Sequence, residues 1–542
     1  MLSLTVAESL YRNMLRQQRV RETFIYLSGL IAGMWFIAFN AVDADLLYFP
    51  GDLGDARFNN YLLEHAYRFF TGQDTSFWSA PFMYPEKDVI SYSDNLVGTA
   101  PFYAVFRLIG ADRETAFQYW YLLMCVLNYS SAYFFLRYLS KNAMAAVLGA
   151  MVFAFSIALQ SQIGHAQTFP RFMIPLAIWA AIHYHRDLKV KYLFLSVLAW
   201  VYQMYCGIYL GFMLLIPLVV LFAGGFLVRR QLYWLRLRST RWVLLSLLSL
   251  TINLVLLLIL MLPYMERAKT IALYPYEQVI STLPTLGSYV YSTAGSLFWN
   301  SLMNVGNDLP YSWDFRLFPG GLAMLSVFLL LVFIVRDLVR GKRKAWLVLS
   351  GTQKLLLVSM LVTVLFFLQV GGSSFYRILH YLPGFASMRA LQRIINIDLL
   401  LFAAAVTVIA ALFLKTINLR TVLLFLGLVM LLILDNRIPP KMVFKVNKEQ
   451  AQERVRELVE KINTLDSRAI LSYERDTAEH LQFILQIDGM LAGQSTGHPT
   501  LNGYSATAPV GFDAYWVNPN DVTRRVWLDK NKLSDEHIYV YR

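Results

Sequence analysis

The sequence predicts a polytopic α-helical membrane protein with about eleven transmembrane helices, a structured loop after the first span and a small α/β domain at the C-terminus. Three observations predict it. Of the 542 residues, 57% are apolar and only 15% charged, whereas soluble chains sit near ~45–50% and ~25%. Apolar runs of roughly spanning length recur along the chain. Basic residues gather between some of these runs and acids between others, as in chains threaded through a membrane. The same segregation accounts for the formal net charge of +13: the excess lies in loops rather than along a stripe, so no nucleic-acid partner is expected. Cys125 and Cys206 both lie inside apolar runs, which argues against a disulfide framework or a cysteine metal site.

The first span is the run 24–41, preceded by Arg12, Arg16, Arg19 and Arg21. It is too long for the apolar core of a secretory signal, so it is read as an uncleaved span with a cytoplasmic N-terminus. Further runs lie at 116–139, 143–160, 171–185, 191–206, 207–227, 243–262, 318–335, 345–369, 394–414 and 420–435. Residues 95–110 are apolar but short and interrupted by Pro101 and Arg107, and read as interfacial or re-entrant.

Alternation places the loop with Arg229, Arg230, Arg236, Arg238 and Arg241 in the cytoplasm, together with the loop that carries Arg336, Arg340, Lys342, Arg343 and Lys344. Residues 42–94 carry nine acids and three bases and face outward. The expected organisation is a transmembrane domain over 1–435, with an outward first loop at 42–115, and an outward α/β domain over 436–542. The expected setting is a bacterial inner membrane, with the C-terminus on the periplasmic side. Within the first loop Phe58, Tyr61, Leu62, His65 and Phe69 recur at helical spacing before Gly72, which reads as a helix along the membrane surface. The C-terminal segment reads as a helix near 448–463, a strand near 469–474, a helix near 477–492 and a terminal strand.

The densest polar cluster beside a span is Pro50-Gly51-Asp52-Leu53-Gly54-Asp55-Ala56-Arg57. Two carboxylates three residues apart suit general-base work on a hydroxyl, or the holding of a divalent cation such as Mg or Mn. The plainer alternative makes Asp55 the N-cap of the following helix and Asp52 a turn residue. No phosphate-binding G-x-x-x-x-G-K-[ST] loop and no H-E-x-x-H zinc helix occurs.

Asp55-Ala-Arg-Phe, in an outward loop soon after span one, resembles the Asp-Glu-Ala-Arg-Tyr stretch of aminoarabinose and protein-mannosyl transferases of the GT-C superfamily, with Ala56 in place of the Glu. Leu317-Phe318-Pro319-Gly320-Gly321, Leu382-Pro383-Gly384-Phe385 followed by Arg389 and Arg393, and Asn502-Gly503-Tyr504-Ser505 resemble stretches of bacterial GT-C-like and YfhO-like membrane proteins, in the same order. The resemblance implies a GT-C-like fold and a hexosyl or pentosyl transferase. Its donor is a polyprenyl-phosphate sugar, its acceptor a glycan, lipid or protein hydroxyl, and the first-loop Asp serves as base or acceptor-positioning group.

Charge gives an independent argument. The outward loop 371–393 carries Arg377, Arg389 and Arg393 with no acid, against the positive-inside tendency. Arg389 and Arg393, four apart, read as one helical face at the mouth of a span, and guanidinium groups match phosphate oxygens bidentately. The competing reading is contact with ordinary anionic lipid headgroups. Arg57 and Lys269 complete the candidate donor-phosphate set, with Asp55 and Asp52 as catalytic candidates and His165 and Gln167 as groups at the acceptor side. The rivals are a flippase for lipid-linked sugars, which needs charges along a through-path, and a non-catalytic component of cell-surface polysaccharide assembly.

Overall fold

The computed structural model describes residues 2–304, 312–339, 349–466, 468–475 and 482–542. The basic stretch Arg340, Lys342, Arg343 and Lys344 lies outside the described residues, as does the start of the helix expected at 477. A long first helix, α1 (Leu2–Phe36), leads into the acidic loop.

The span count differs from the sequence expectation. Among the described residues six helices are long and apolar enough to cross a membrane, at Arg16–Ala41, Ala143–Gln162, Ile208–Val228, Thr240–Arg267, Leu391–Phe413 and Leu419–Asn436, rather than about eleven. Two shorter apolar helices, Gly321–Arg336 and Gly351–Phe367, accompany them. Several of the other runs are helical but fall short. Met173–Asp187 and Val190–Cys206 have 15 and 17 residues, about 23–26 Å at 1.5 Å per residue, against roughly 30 Å of hydrocarbon. Arg113–Ser140 is longer, but Gln118, Asn128, Ser130, Ser131 and several tyrosines dilute its apolar content. The chain is a multi-pass membrane protein; side assignments that rested on eleven alternating spans lose that basis.

The first loop and the C-terminal segment meet at one end of the helices. Strand β1 (Tyr48–Pro50) pairs antiparallel with β2 (Lys445–Asn447), Phe49 opposite Val446. Directly after β1 comes α2 (Asp55–Phe70), which ends at Gly72 with φ +76°. Its apolar positions were legible, but it does not lie on a membrane surface: every residue from Ala56 to Ala66 is buried. Its polar side chains are paired inside the protein, Glu64 with Arg107 at 2.7 Å and His65 with Asp74 at 2.9 Å. The helix Ala100–Leu108 is too short to span and exposes Val105, Leu108 and Ile109.

The C-terminal elements form largely as expected, with a helix Lys448–Ile462, strand β3 (Ile470–Tyr473) parallel to β4 (Ile538–Tyr541), and a helix Gln482–Thr496. They are not a small separate domain. Phe58, Tyr61 and Leu62 of α2 and Phe82 and Ile90 of the first loop share one apolar cluster with Ile487, Leu491, Leu501, Phe512 and Trp527. Apolar residues that close a common core cannot be exposed by separation without losing that burial energy.

Two of the glycine motifs explain themselves in packing. Gly320 has φ +103°, and a Cβ there meets Asp435 Oδ2 at 2.8 Å. Asp435 in turn accepts the backbone N–H groups of Gly321 and Leu322 and the indole of Trp299 at 2.7–3.0 Å, and so satisfies the start of the helix Gly321–Val339. Gly384 has φ +87° and packs against the ring of Phe212. Gly320→Ala is expected to lower stability by about 1–3 kcal/mol, read as a drop in thermal midpoint, whereas Gly351→Ala, where a Cβ meets nothing within 4 Å, serves as the near-neutral control.

Candidate functional site

Local chain geometry builds the site from Gly51 onward. Gly51 has φ +101°, and a Cβ there would lie 2.6 Å from that of Ala56 and 3.0 Å from Gly164 Cα; only glycine lets the loop pass. Its N–H donates to the Phe444 carbonyl at 3.1 Å and continues the β1–β2 pairing. Asp52 Oδ1 then accepts the N–H groups of Gly54 and Ala56 at 3.1 and 3.0 Å. The capping carboxylate is therefore Asp52, not Asp55, while Gly54 occupies the N-cap position. This frees the Asp55 side chain, at the first position of α2, for contacts across the chain.

Both Asp55 oxygens are engaged. Oδ2 lies 2.7 Å from His165 Nδ1, and Oδ1 accepts the hydroxyl of Tyr504 at 2.5 Å. The other imidazole nitrogen, Nε2, lies 3.6 Å from Asp314 Oδ1, so the ring sits between two carboxylates. Asp55 and His165 remain 26% and 24% exposed, enough for the site to be reached from solvent. Gln167 does not join the cluster directly. Its Oε1 accepts from Asn59 Nδ2 at 3.0 Å, one turn along α2, and ties the turn after His165 to the helix that carries Asp55.

Charges around the pair separate the two first-loop acids. Burial works to raise the Asp55 carboxyl, but the hydrogen bond and charge of His165, the Tyr504 hydroxyl and the charge of Arg393 outweigh it and hold it down at about 2. Burial, with the Asp55 charge adding to it, raises Asp52 despite its backbone donors. His165 is raised: burial and the Arg393 charge oppose protonation, and Asp314 and Asp55 overcome them. A depressed carboxyl contributes stability above its ordinary ~3.9 that is lost as pH falls toward its folded value. A raised imidazole contributes below its ordinary ~6.5 and loses that contribution as pH climbs through its folded value. The stability difference between wild type and His165→Gln is thus expected to be largest between about pH 4 and 6.5 and to shrink on the alkaline side, measured by thermal unfolding across a pH series.

The arginine pair gathers on Tyr209 rather than on a helix. Met388–Ala390 is non-helical and Leu391–Ile394 a 3-10 turn, so the two side chains do not share one helical face as their spacing suggests. The Arg393 guanidinium lies 5.0 Å from the centre of the Tyr209 ring, and the Arg389 N–H donates to the Tyr209 hydroxyl at 3.1 Å. Arg393 has no carboxylate within 4 Å among the described residues. Its charge acts on Asp55, His165 and the buried Asp94. Asp94 accepts the Ile208 N–H at 2.6 Å and so fixes the start of the helix that carries Tyr209. The Arg389 side chain donates to the Ala506 carbonyl at 2.7 Å.

Two candidates fall away from the site. Arg57 is 3% exposed and locked to Asp488 at 2.6 Å, a buried pair that joins α2 to the helix Gln482–Thr496 and leaves no guanidinium for a phosphate. Lys269 is on the surface, 67% exposed and paired with Glu266 at 2.7 Å. Among the described residues no group of three or more His, Cys, Asp and Glu side chains is set out as a metal ligand shell; the two nitrogens of His165 face separate carboxylates instead of one shared point. Tyr504, Asp314, Asp94 and Tyr209 carry the site's polar contacts without having been picked out for them. Only Tyr504 had a signal, as part of Asn502-Gly503-Tyr504-Ser505.

No family model matches the chain, and no curated protein matches it. Solved structures similar to it include ArnT from Cupriavidus metallidurans bound to undecaprenyl phosphate, with 13% identity, TM-score 0.44, and coverage of 89% of this chain and 85% of that one. The Archaeoglobus fulgidus oligosaccharyltransferase in the apo form shows 11% identity and TM-score 0.48 over 94% of this chain and 69% of that one.

Proposed function

We propose that this protein is a membrane glycosyltransferase that moves a sugar from a polyprenyl-phosphate donor to an acceptor hydroxyl, with inversion at the anomeric carbon. One observation carries the reading. A solvent-reachable carboxylate, Asp55, is held by His165 beside a guanidinium, Arg393, that has no carboxylate partner among the described residues and lies at the start of a span. A hydroxyl acceptor and a lipid-anchored phosphate need that combination of charges at that depth.

In this reading the acceptor oxygen attacks the anomeric carbon as the bond from that carbon to the phosphate oxygen breaks. The acceptor proton passes to Asp55, and Arg393 with Arg389 stabilises the charge on the departing polyprenyl phosphate. His165, protonated and backed by Asp314, orients Asp55; Asp52 holds the start of α2 and so the position of Asp55. The donor-binding half is tested by titrating a polyprenyl-phosphate sugar against Arg393→Met protein in nanodiscs. Loss of one charge-assisted contact is expected to weaken donor binding roughly tenfold or more; unchanged binding would remove Arg393 from the site.

A further inference from the structure

The Tyr504 hydroxyl sits where an acceptor hydroxyl has to go. It donates to Asp55 Oδ1 at 2.5 Å, the contact that an alcohol must make to hand its proton to that carboxylate, and its ring lies edge-on to Phe58 at 5.4 Å. With the phenol in place the hydrogen-bonding position on Oδ1 is taken and, through that bond, the carboxylate is less basic.

The segment that carries Tyr504 is firmly held on one side and lightly on the other. Upstream, Asn502 bonds both the N–H and the carbonyl of Tyr473, at 2.7 and 2.9 Å, and Gly503 packs so closely on Met83 that no Cβ fits. Downstream, residues 505–508 donate no backbone hydrogen bond. Among the described residues their polar ties are the Arg389 guanidinium on the Ala506 carbonyl at 2.7 Å and the Thr507 hydroxyl on the Tyr92 carbonyl at 3.2 Å, while Ala508 packs against the apolar cluster around Phe58 and Trp527. The stretch closes at Gly511, with φ +81°. A guanidinium bonded to a neutral carbonyl exchanges that partner readily for a phosphate, the stronger and bidentate one.

We propose that the segment around Tyr504 is a gate over the acceptor position on Asp55, that Arg389 is its latch, and that a polyprenyl-borne phosphate releases the latch by taking the guanidinium. The proposal rests on the sugar-transfer reading above and adds an order to it: donor first, acceptor second. The acceptor then takes the Oδ1 position only when a donor is present to react.

The two native cysteines are buried, so a single reporter cysteine reads the gate without relying on turnover. Ser505 is suited to this, since its Oγ is buried without a partner. Full-length Ser505→Cys protein in phosphatidylcholine nanodiscs is labelled with a water-soluble maleimide, with and without polyprenyl phosphate, whose binding is measured separately. Labelling is expected to accelerate about tenfold with polyprenyl phosphate and not with phosphatidylglycerol. In the Arg389→Met background it should be fast from the outset and unresponsive; in the Tyr504→Phe background, which keeps the ring packing, it should also be raised. Bound polyprenyl phosphate with unchanged labelling, slow labelling in Arg389→Met, or equal acceleration by phosphatidylglycerol would each overturn the gate while leaving sugar transfer standing. Failure of polyprenyl phosphate to bind would overturn both the trigger and the donor reading beneath it.

Discussion

Asp55→Asn protein, folded and able to bind donor, is expected to lose transfer by about a hundredfold to ten-thousandfold, the range a positioned acid or base contributes. The amide keeps the shape of the side chain and still accepts one hydrogen bond, yet removes the charge that favours the protonated form of His165 and the oxygen that takes the acceptor proton. An effect on turnover with little effect on donor affinity is the signature of a group that acts in the transition state. A component that only assists polysaccharide assembly predicts a silent substitution. A flippase predicts movement of lipid-linked sugar that is indifferent to the acceptor.

The largest stability effect is expected away from the chemistry, at Asp488. This carboxylate is 1% exposed and pairs with Arg57 and Arg454, each at 2.6 Å. Arg57 is itself buried and meets no other carboxylate among the described residues. Asp488→Ala leaves a guanidinium sealed between α2 and the helix Gln482–Thr496 with nothing to balance it, which costs about 3–5 kcal/mol. Arg57→Met should cost less, since Asp488 keeps Arg454 and the thioether fills much of the space. Thermal unfolding in detergent orders the two; a larger loss in Arg57→Met than in Asp488→Ala would contradict the pairing described here. Lys269→Ala, at an exposed ion pair, is expected to stay within about 0.5 kcal/mol of wild type.

Local pattern and long-range contact divide what the sequence shows from what it hides. The spacing of Phe58, Tyr61, Leu62, His65 and Phe69 reports a helix over 55–70 because helical periodicity is written in neighbours. That residues 56–66 of α2 are all buried is not written there, since part of their cover comes from Leu491, Leu501 and Trp527, more than four hundred residues away. The cluster Asp55, His165, Asp314 and Tyr504 draws on four separate segments; Asp55 and His165 are legible as polar groups beside spans and Tyr504 only through Asn502-Gly503-Tyr504-Ser505, whereas Asp314 has no local mark of function. Arg57 misleads for the converse reason. Beside two carboxylates in sequence it reads as part of their site, but its position on α2 turns it toward Asp488. Apolar runs overstate the number of spans because composition registers burial in protein and burial in lipid alike, and helices of 15 and 17 residues satisfy the first without the length for the second.

The most direct measurement is the release of free polyprenyl phosphate, with the matching glycosylated product, from a panel of polyprenyl-phosphate sugars and an acceptor extract. Wild type and Asp55→Asn protein are run side by side in nanodiscs. Sugar transfer through Asp55 requires turnover by wild type, inversion at the anomeric carbon of the product, and loss of turnover in folded Asp55→Asn protein. Donor that binds but is never cleaved, or cleavage that is equal in the two proteins, would contradict it.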